Sequence, residues 1–272
     1  MSAIQCYGVT YTYPVGVAAL AAIDLTIMPG EAAAIVGQNG SGKTTLVRHF
    51  NGLLRPDSGR VTVGGHDTRT TTIARLSAVV GLTFQDADRQ IFAGSVRAEV
   101  EFGPRNLGLS GVKLDSAVAE ALAAVELVGE ERTNPYDLGF SRRKLLSIAS
   151  VLAMRTPVVV LDEPTTGQDA RGVRTIKRVV EVLRAEGRTV IGVTHDMRFA
   201  AESFERVVVM REGRIVLDGT PAEVFAEPAW PVLHSTNLDP PYAARLGARL
   251  GLGATPTDQA LVSALSSREA SR

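Results

Sequence analysis

The stretch from Gly37 to Thr45 reads GQNGSGKTT and fits the spacing G-x-x-x-x-G-K-[ST]. An apolar run precedes it and a helical pattern follows, which is the setting a phosphate-binding loop needs. Its candidate binding positions are Gly37, Asn39, Gly40, Ser41, Gly42, Lys43, Thr44 and Thr45. The glycines let backbone N–H groups close around a β-phosphate, and the following helix adds its positive end. Lys43 offers a point charge to β/γ oxygens, and the Thr44 hydroxyl can ligate Mg²⁺. A plain glycine-rich turn is the competing reading. Four such fixed positions arise by chance in roughly 1% of chains of this length, before context is required.

Other chemistry-bearing residues stand at the ends of apolar runs. Asp162 and Glu163 end "PVVVLDE", Gln85 ends "LTFQ", and His195 ends "GVTH". Ligands of a parallel sheet bind beyond the carboxyl ends of its strands. There Asp162 can hold Mg²⁺, and Glu163 can orient or deprotonate an attacking water. Each of these groups alone reads as an ordinary polar strand end. Beside a phosphate loop they converge on one edge.

The elements that must position them follow from the pattern. "AAAIV", "AVVGLTF", "PVVVLD" and "TVIGVT" are short, β-branched and unalternated. Such runs predict strands of a parallel sheet covered on both faces. Between them, Val173, Ile176, Val179, Val180 and Leu183 share one helical face. Residues 86–154 interrupt the alternation with helical patterns, including a stripe of Val118, Ala121, Leu122, Val125 and Val128, and predict an inserted helical subdomain. Prolines rise after residue 225, where two short helical patterns suggest an appendage, and the terminal "SSREASR" is expected to be disordered.

Composition excludes several function classes. The 272 residues carry 29 basic and 29 acidic side chains, so nothing favours nucleic acid as a bulk partner. The single cysteine, Cys6, rules out an intrachain disulfide and a cysteine-rich zinc site, and fits a cytosolic setting. The first residues lack the pattern of a signal peptide, and no apolar run is long enough to span a bilayer, so a soluble chain is expected.

In this order and spacing, "GQNGSGKTT", "FQ", "LDEPTTGQD" and "VTHD" resemble an ABC-family ATPase over residues 1 to about 225. The resemblance implies an α/β fold. Its parts would be a RecA-like P-loop core with a parallel sheet, an N-terminal antiparallel β subdomain, the inserted helices, and a small C-terminal extension at 226–272 that could make dimer contacts. It implies ATP and Mg²⁺ as ligands, with Thr44, Gln85 and Asp162 at the metal and Glu163, His195 and Gln85 in the catalytic group. An aromatic residue would stack on adenine: Tyr13 is the candidate, with Tyr11 competing.

Finer features, "RHFNGLLRPDSG" and "FQDADRQIF…VEFGPRNLGL", resemble the ATPases of energy-coupling factor importers for vitamins or cobalt and nickel. That likeness implies a second ATPase subunit, a transmembrane coupling subunit, a substrate-binding membrane subunit, and a place on the cytoplasmic face of the membrane. Phe92 and Phe102 would then be apolar anchors for the membrane partner, or else would close the small subdomain's own core. The alternatives are a regulatory nucleotide-binding subunit of an asymmetric dimer and an ABC ATPase outside transport.

Two places depart from the family pattern. L-S-G-G-Q aligns on Leu138, Gly139, Phe140, Ser141 and Arg142, and Gln168 stands where leucine is more usual, with Asp169 kept. In ABC dimers this signature acts on the nucleotide of the other subunit. Ser141, Arg142 and Asp169 are therefore candidates to face a partner's nucleotide, and a heterodimer with a paralogue is favoured. "SRRKLLSIAS" keeps a helical apolar face, with Ser141 placed to cap its start and three cations, Arg142, Arg143 and Lys144, opposing the helix dipole.

Overall fold

Three of the four unalternated runs become strands buried from end to end, Ala32–Val36, Val158–Asp162 and Thr189–Thr194, while the fourth forms the edge strand Val80–Thr83, in which Leu82 is only half-buried. The computed structural model describes residues 3–270. In chain order the elements begin β1 (Ile4–Thr12), β2 (Ala18–Ile27), β3 (Ala32–Val36), α1 (Lys43–Phe50), β4 (Ser58–Val63), β5 (His66–Asp67), α2 (Ile73–Ser77) and β6 (Val80–Thr83). Three helices follow, α3 (Val96–Asn106), α4 (Gly111–Ala124) and α5 (Phe140–Ala153). The chain then returns to the sheet through β7 (Val158–Asp162), α6 (Ala170–Ala185), β8 (Thr189–Thr194), α7 (Met197–Ser203), β9 (Arg206–Arg211) and β10 (Arg214–Gly219). It closes with α8 (Pro221–Val224), α9 (Trp230–Ser235), α10 (Tyr242–Arg249) and α11 (Asp258–Ala270).

One sheet is antiparallel, in the order β2-β1-β4-β5, and the other runs β10-β9-β3-β8-β7-β6. In the second sheet every pairing but β10 with β9 is parallel. Alternate residues of its strands feed opposite layers. Val158, Val160, Ile191 and Val193 pack toward the antiparallel sheet and α1. Val159, Leu161 and Val190 pack toward the helices. This is the expected α/β architecture of two β layers and a helical layer. Between β6 and β7, helices α3, α4 and α5 pack on one another.

Three details differ from the sequence expectation. Val128 lies beyond the end of α4 and is exposed, so the buried stripe stops at Val125. Among the described residues after 225 there are three α-helices and a 3-10 turn at Glu227–Ala229, rather than two short helices. The segment "SSREASR" is helical as far as Ala270, because it extends α11, while Ser271 and Arg272 lie outside the described residues.

The packing leaves no room at the middle of β8. A Cβ on Gly192 would sit 2.3 Å from Cζ and 2.8 Å from Cε2 of Phe204, a buried ring. Gly192→Ala should therefore destabilise the fold by about 1–3 kcal/mol, the usual cost of overpacking. A lower urea midpoint with an unchanged slope would show it.

Candidate functional site

Parallel register sets the site. Val36 pairs with Thr194, Asp162 with Val193, and Thr83 with Leu161. The residues that follow, Gly37, His195, Glu163 and the pair Phe84–Gln85, must then emerge at one edge. Gly37 and Gly42 are required there by close approach. A Cβ on Gly37 would lie 2.4 Å from the Met210 carbonyl oxygen, and one on Gly42 2.5 Å from that of Ala19. Gly42 also takes a left-handed φ of 102°, which a side chain would strain.

The loop residues and their neighbours form one pocket. Tyr13, Asn39, Lys43, Thr44, Gln85 and Glu163 all line it. Lys43 Nζ donates to the carbonyls of Gly37 (2.7 Å) and Gln38 (2.9 Å), so the ammonium lies across the loop. Burial lowers its pKa, against the opposing pull of Glu163 and Asp162. The buried Ser41 hydroxyl has no hydrogen-bond partner among the described residues, which suits an oxyanion seated in the loop. Tyr13 reaches the same loop, with its hydroxyl 3.0 Å from Thr45 Oγ1. Tyr11 turns instead against His49, edge to face, and packs on the core beneath the antiparallel sheet.

Beside the loop, Thr44 Oγ1 lies 3.4 Å from Asp162 Oδ1. A hydroxyl and a carboxylate are hard oxygen donors, the set from which Mg²⁺ is held when phosphate and water complete its shell. No cluster of three or more His, Cys, Asp or Glu side chains among the described residues offers a self-contained metal site. Asp162 is buried, and burial raises its carboxyl to a pKa of about 6, opposed by its hydrogen bond from Thr44. A divalent cation would reverse that shift.

Glu163 lines the pocket from just beyond the end of β7. It is buried and holds a φ of 49°, left-handed for a residue that is not glycine. His195 Nδ1 is 2.8 Å from Glu163 Oε2, although the imidazole is itself 60% exposed. A buried carboxylate oriented by an imidazole can accept a proton from water. Gln85 lines the pocket from the end of β6.

The stretch 138–144 is ordered differently from its sequence expectation. The cap of α5 is Gly139, not Ser141, and it makes no side-chain hydrogen bond. Ser141 lies inside the helix, and its hydroxyl donates to Gln168 Oε1 at 2.8 Å. Arg142 pairs with Glu130 (2.8 Å). Arg143 donates to the Leu138 carbonyl (2.6 Å) and lies 2.8 Å from Asp88. Lys144 does not oppose the helix dipole at the surface; it is 1% exposed. Asp169 caps α6 through the Gly172 N–H at 2.7 Å.

Comparison with known proteins agrees with this arrangement. The family model described as "ABC transporter" matches residues 20–166. The energy-coupling factor transporter ATP-binding protein EcfA of Methanococcus maripaludis is 37% identical over 248 residues, covering 90% of this chain and 88% of that protein. This chain belongs to the ABC transporter family. An ABC transporter ATP-binding protein of Caldanaerobacter subterraneus is 42% identical over 248 residues, but this chain spans only 43% of its length. For a similar protein of Methanosarcina acetivorans, 44% identical, the share is 39%. Among solved structures, cbiO1 from Clostridium perfringens, part of the ABC transporter complex cbiONQ, superposes with a TM-score of 0.76 at 36% identity, covering 92% of this chain and 99% of that one. A dimeric ATP-binding cassette in a post-hydrolysis state with ADP and Pi gives 0.73 at 26% identity, covering 80% and 98%.

In this ABC cassette two contacts were missed by sequence reading. Asn237, in the C-terminal extension, donates from Nδ2 to Gln38 Oε1 at 2.7 Å and so touches the phosphate loop; nothing in the sequence pointed to it. Lys144 Nζ donates to the carbonyls of Phe84 (2.9 Å), Gln85 (2.8 Å) and Asp162 (3.0 Å). One signal could have found Lys144. It precedes Ile148 by one helical turn, on the buried side of α5. Burial lowers its ammonium to about 8. Lys144→Met keeps the stem and removes the donor from three inward carbonyls. It should destabilise the cassette by about 1–3 kcal/mol, the cost of leaving buried acceptors unmet. Equilibrium urea unfolding measures this, and an unchanged midpoint would contradict it.

Proposed function

We propose that this chain is an ATP-hydrolysing subunit that powers an ABC importer of energy-coupling factor type, for a vitamin or a transition-metal ion. The observation that carries the ATPase reading is Glu163, buried at the strand end beside the phosphate loop and joined to His195 at 2.8 Å. The importer reading draws on the likeness to EcfA and to cbiO1, the latter part of a named transporter complex.

In this reading the loop N–H groups and Lys43 hold the β and γ phosphates, and Tyr13 stacks on adenine. Thr44, Asp162 and Gln85 hold Mg²⁺, which when bound neutralises charge on the phosphate oxygens. Glu163 takes a proton from the attacking water, and His195 keeps its carboxylate aimed. No helix among the described residues is long and apolar enough to cross a membrane. In this reading the chain docks on the cytoplasmic face of a transmembrane coupling subunit.

Phe92 and Phe102 fit the docking role. They are 59% and 50% exposed and stack edge to face at 4.7 Å. The buried carboxylate of Glu99 accepts from the Phe92 and Ala93 N–H groups at 3.0 and 2.9 Å, which fixes the turn that presents Phe92. Such paired apolar anchors suit a short helix of a membrane subunit.

The ATPase would work as a dimer with a second cassette, in which a nucleotide held by the partner faces α5 and Asp169 of this chain. Ser141 and Arg142 would have to exchange Gln168 and Glu130 for that nucleotide. Those in-chain contacts favour a paralogue with an ordinary signature as the partner. They also lend weight to a second reading, a regulatory nucleotide-binding subunit of an asymmetric dimer.

Glu163→Gln should keep ATP binding and lower turnover by about 10²–10⁴-fold, since it removes the base alone. Near-normal hydrolysis by that variant would refute the assignment. Alanine at both Phe92 and Phe102 should leave ATP affinity unchanged and reduce recovery of membrane subunits in a pull-down from solubilised membranes. Full recovery would move the docking surface elsewhere.

A further inference from the structure

The two departures from the family pattern, at residues 139–142 and at Gln168, lie far apart in sequence and meet in the fold. Ser141 Oγ donates to Gln168 Oε1 at 2.8 Å, and Gln168 Nε2 donates back to the Ser141 carbonyl at 3.1 Å. One residue earlier on each side, the Phe140 ring covers Gly167. A Cβ at Gly167 would lie 2.2 Å from Phe140 Cε1, and its φ of 73° already favours glycine. Glycines at positions 140 and 141 would supply neither the ring nor the hydroxyl. A leucine at 168 could neither accept from Ser141 nor donate to it.

The loop so held is the one that leaves Glu163. It turns through hydrogen bonds from Thr166 N–H to the Glu163 carbonyl (3.4 Å) and from Gln168 N–H to the Thr165 carbonyl (3.1 Å). It ends where Asp169 caps α6. Its start therefore carries the candidate base, and its end is tied to the head of α5.

We propose that Ser141 and Gln168 are a mated positioning pair, latching the loop after Glu163 to the start of α5 and so setting the base for hydrolysis. In an ordinary signature the corresponding residues have no side chains with which to grip this loop. Here the rebuilt stretch grips its own chain, and the two departures compensate each other. The inference rests on the ATPase reading for its effect on turnover, but the latch itself can be judged without it.

The experiment compares the wild-type chain with Ser141→Ala, Gln168→Leu and the double variant, each assayed with whatever subunits co-purify. Hydrogen exchange over residues 163–170 reports the latch. Each single change should speed exchange there, and the double should be no faster than the faster single. Unchanged exchange, or effects that multiply, would overturn the latch. Turnover reports the positioning role. The single variants should lower kcat by about 2- to 150-fold, the range for residues in direct contact, with KM for ATP unmoved. Ser141→Thr, which keeps the hydroxyl, should restore it. Urea unfolding supplies the folded fraction. Wild-type kcat per folded molecule in both single variants, or a change confined to KM, would overturn the positioning role. If wild-type turnover is absent or indifferent to Glu163→Gln, the ATPase reading fails, the positioning role falls with it, and the exchange data still decide the latch.

Discussion

The site depends on a group that does no chemistry, the Lys144 ammonium, whose three hydrogen bonds reach the ends of two adjacent strands. Its acceptors are the carbonyls of Phe84 and Gln85, after β6, and of Asp162, the last residue of β7. Strand pairing fixes the register of β6 and β7 only as far as Thr83 and Leu161. Past that point the chains diverge into loops, and Lys144 extends their alignment beyond the last rung of the ladder. Because it stands on α5, the same bonds anchor the start of that helix to the sheet edge. Helix, Gln85 and the acidic strand end are thus joined through one side chain.

Burial sets the electrostatics around that side chain. It raises Asp162 and lowers Lys144, each shift disfavouring charge, while each group's charge helps to hold the other ionised. Lys43 is subject to the same opposition. Such a cluster is finely balanced, so a dication or a phosphate arriving at the pocket would change the ionisation of several neighbours together.

Much of this was legible in the residues, and the reason is period and chemistry. The strands β3, β7 and β8 are runs that only a doubly covered sheet would bury, and the polar residues at their ends had one edge to occupy. Tyr13 and Tyr11 could not be told apart by sequence; the backbone sends one toward the phosphate loop and the other toward His49. At the head of α5 the sequence shows three successive cations but not which of them faces inward. A helix has a buried side even where its sequence is basic, and Lys144 falls on it. Ser141 with Gln168 and Asn237 with Gln38 were invisible for a different reason. Each joins residues brought together only by the tertiary fold, between elements with no shared periodicity.

The left-handed backbone at Glu163 has a further meaning. A side chain at φ 49° is held against a steric cost of about 1–2 kcal/mol that glycine would not incur. Selection for thermal robustness alone would install glycine there. With Glu163 as the proposed base, the carboxylate marks a compromise between durability and activity.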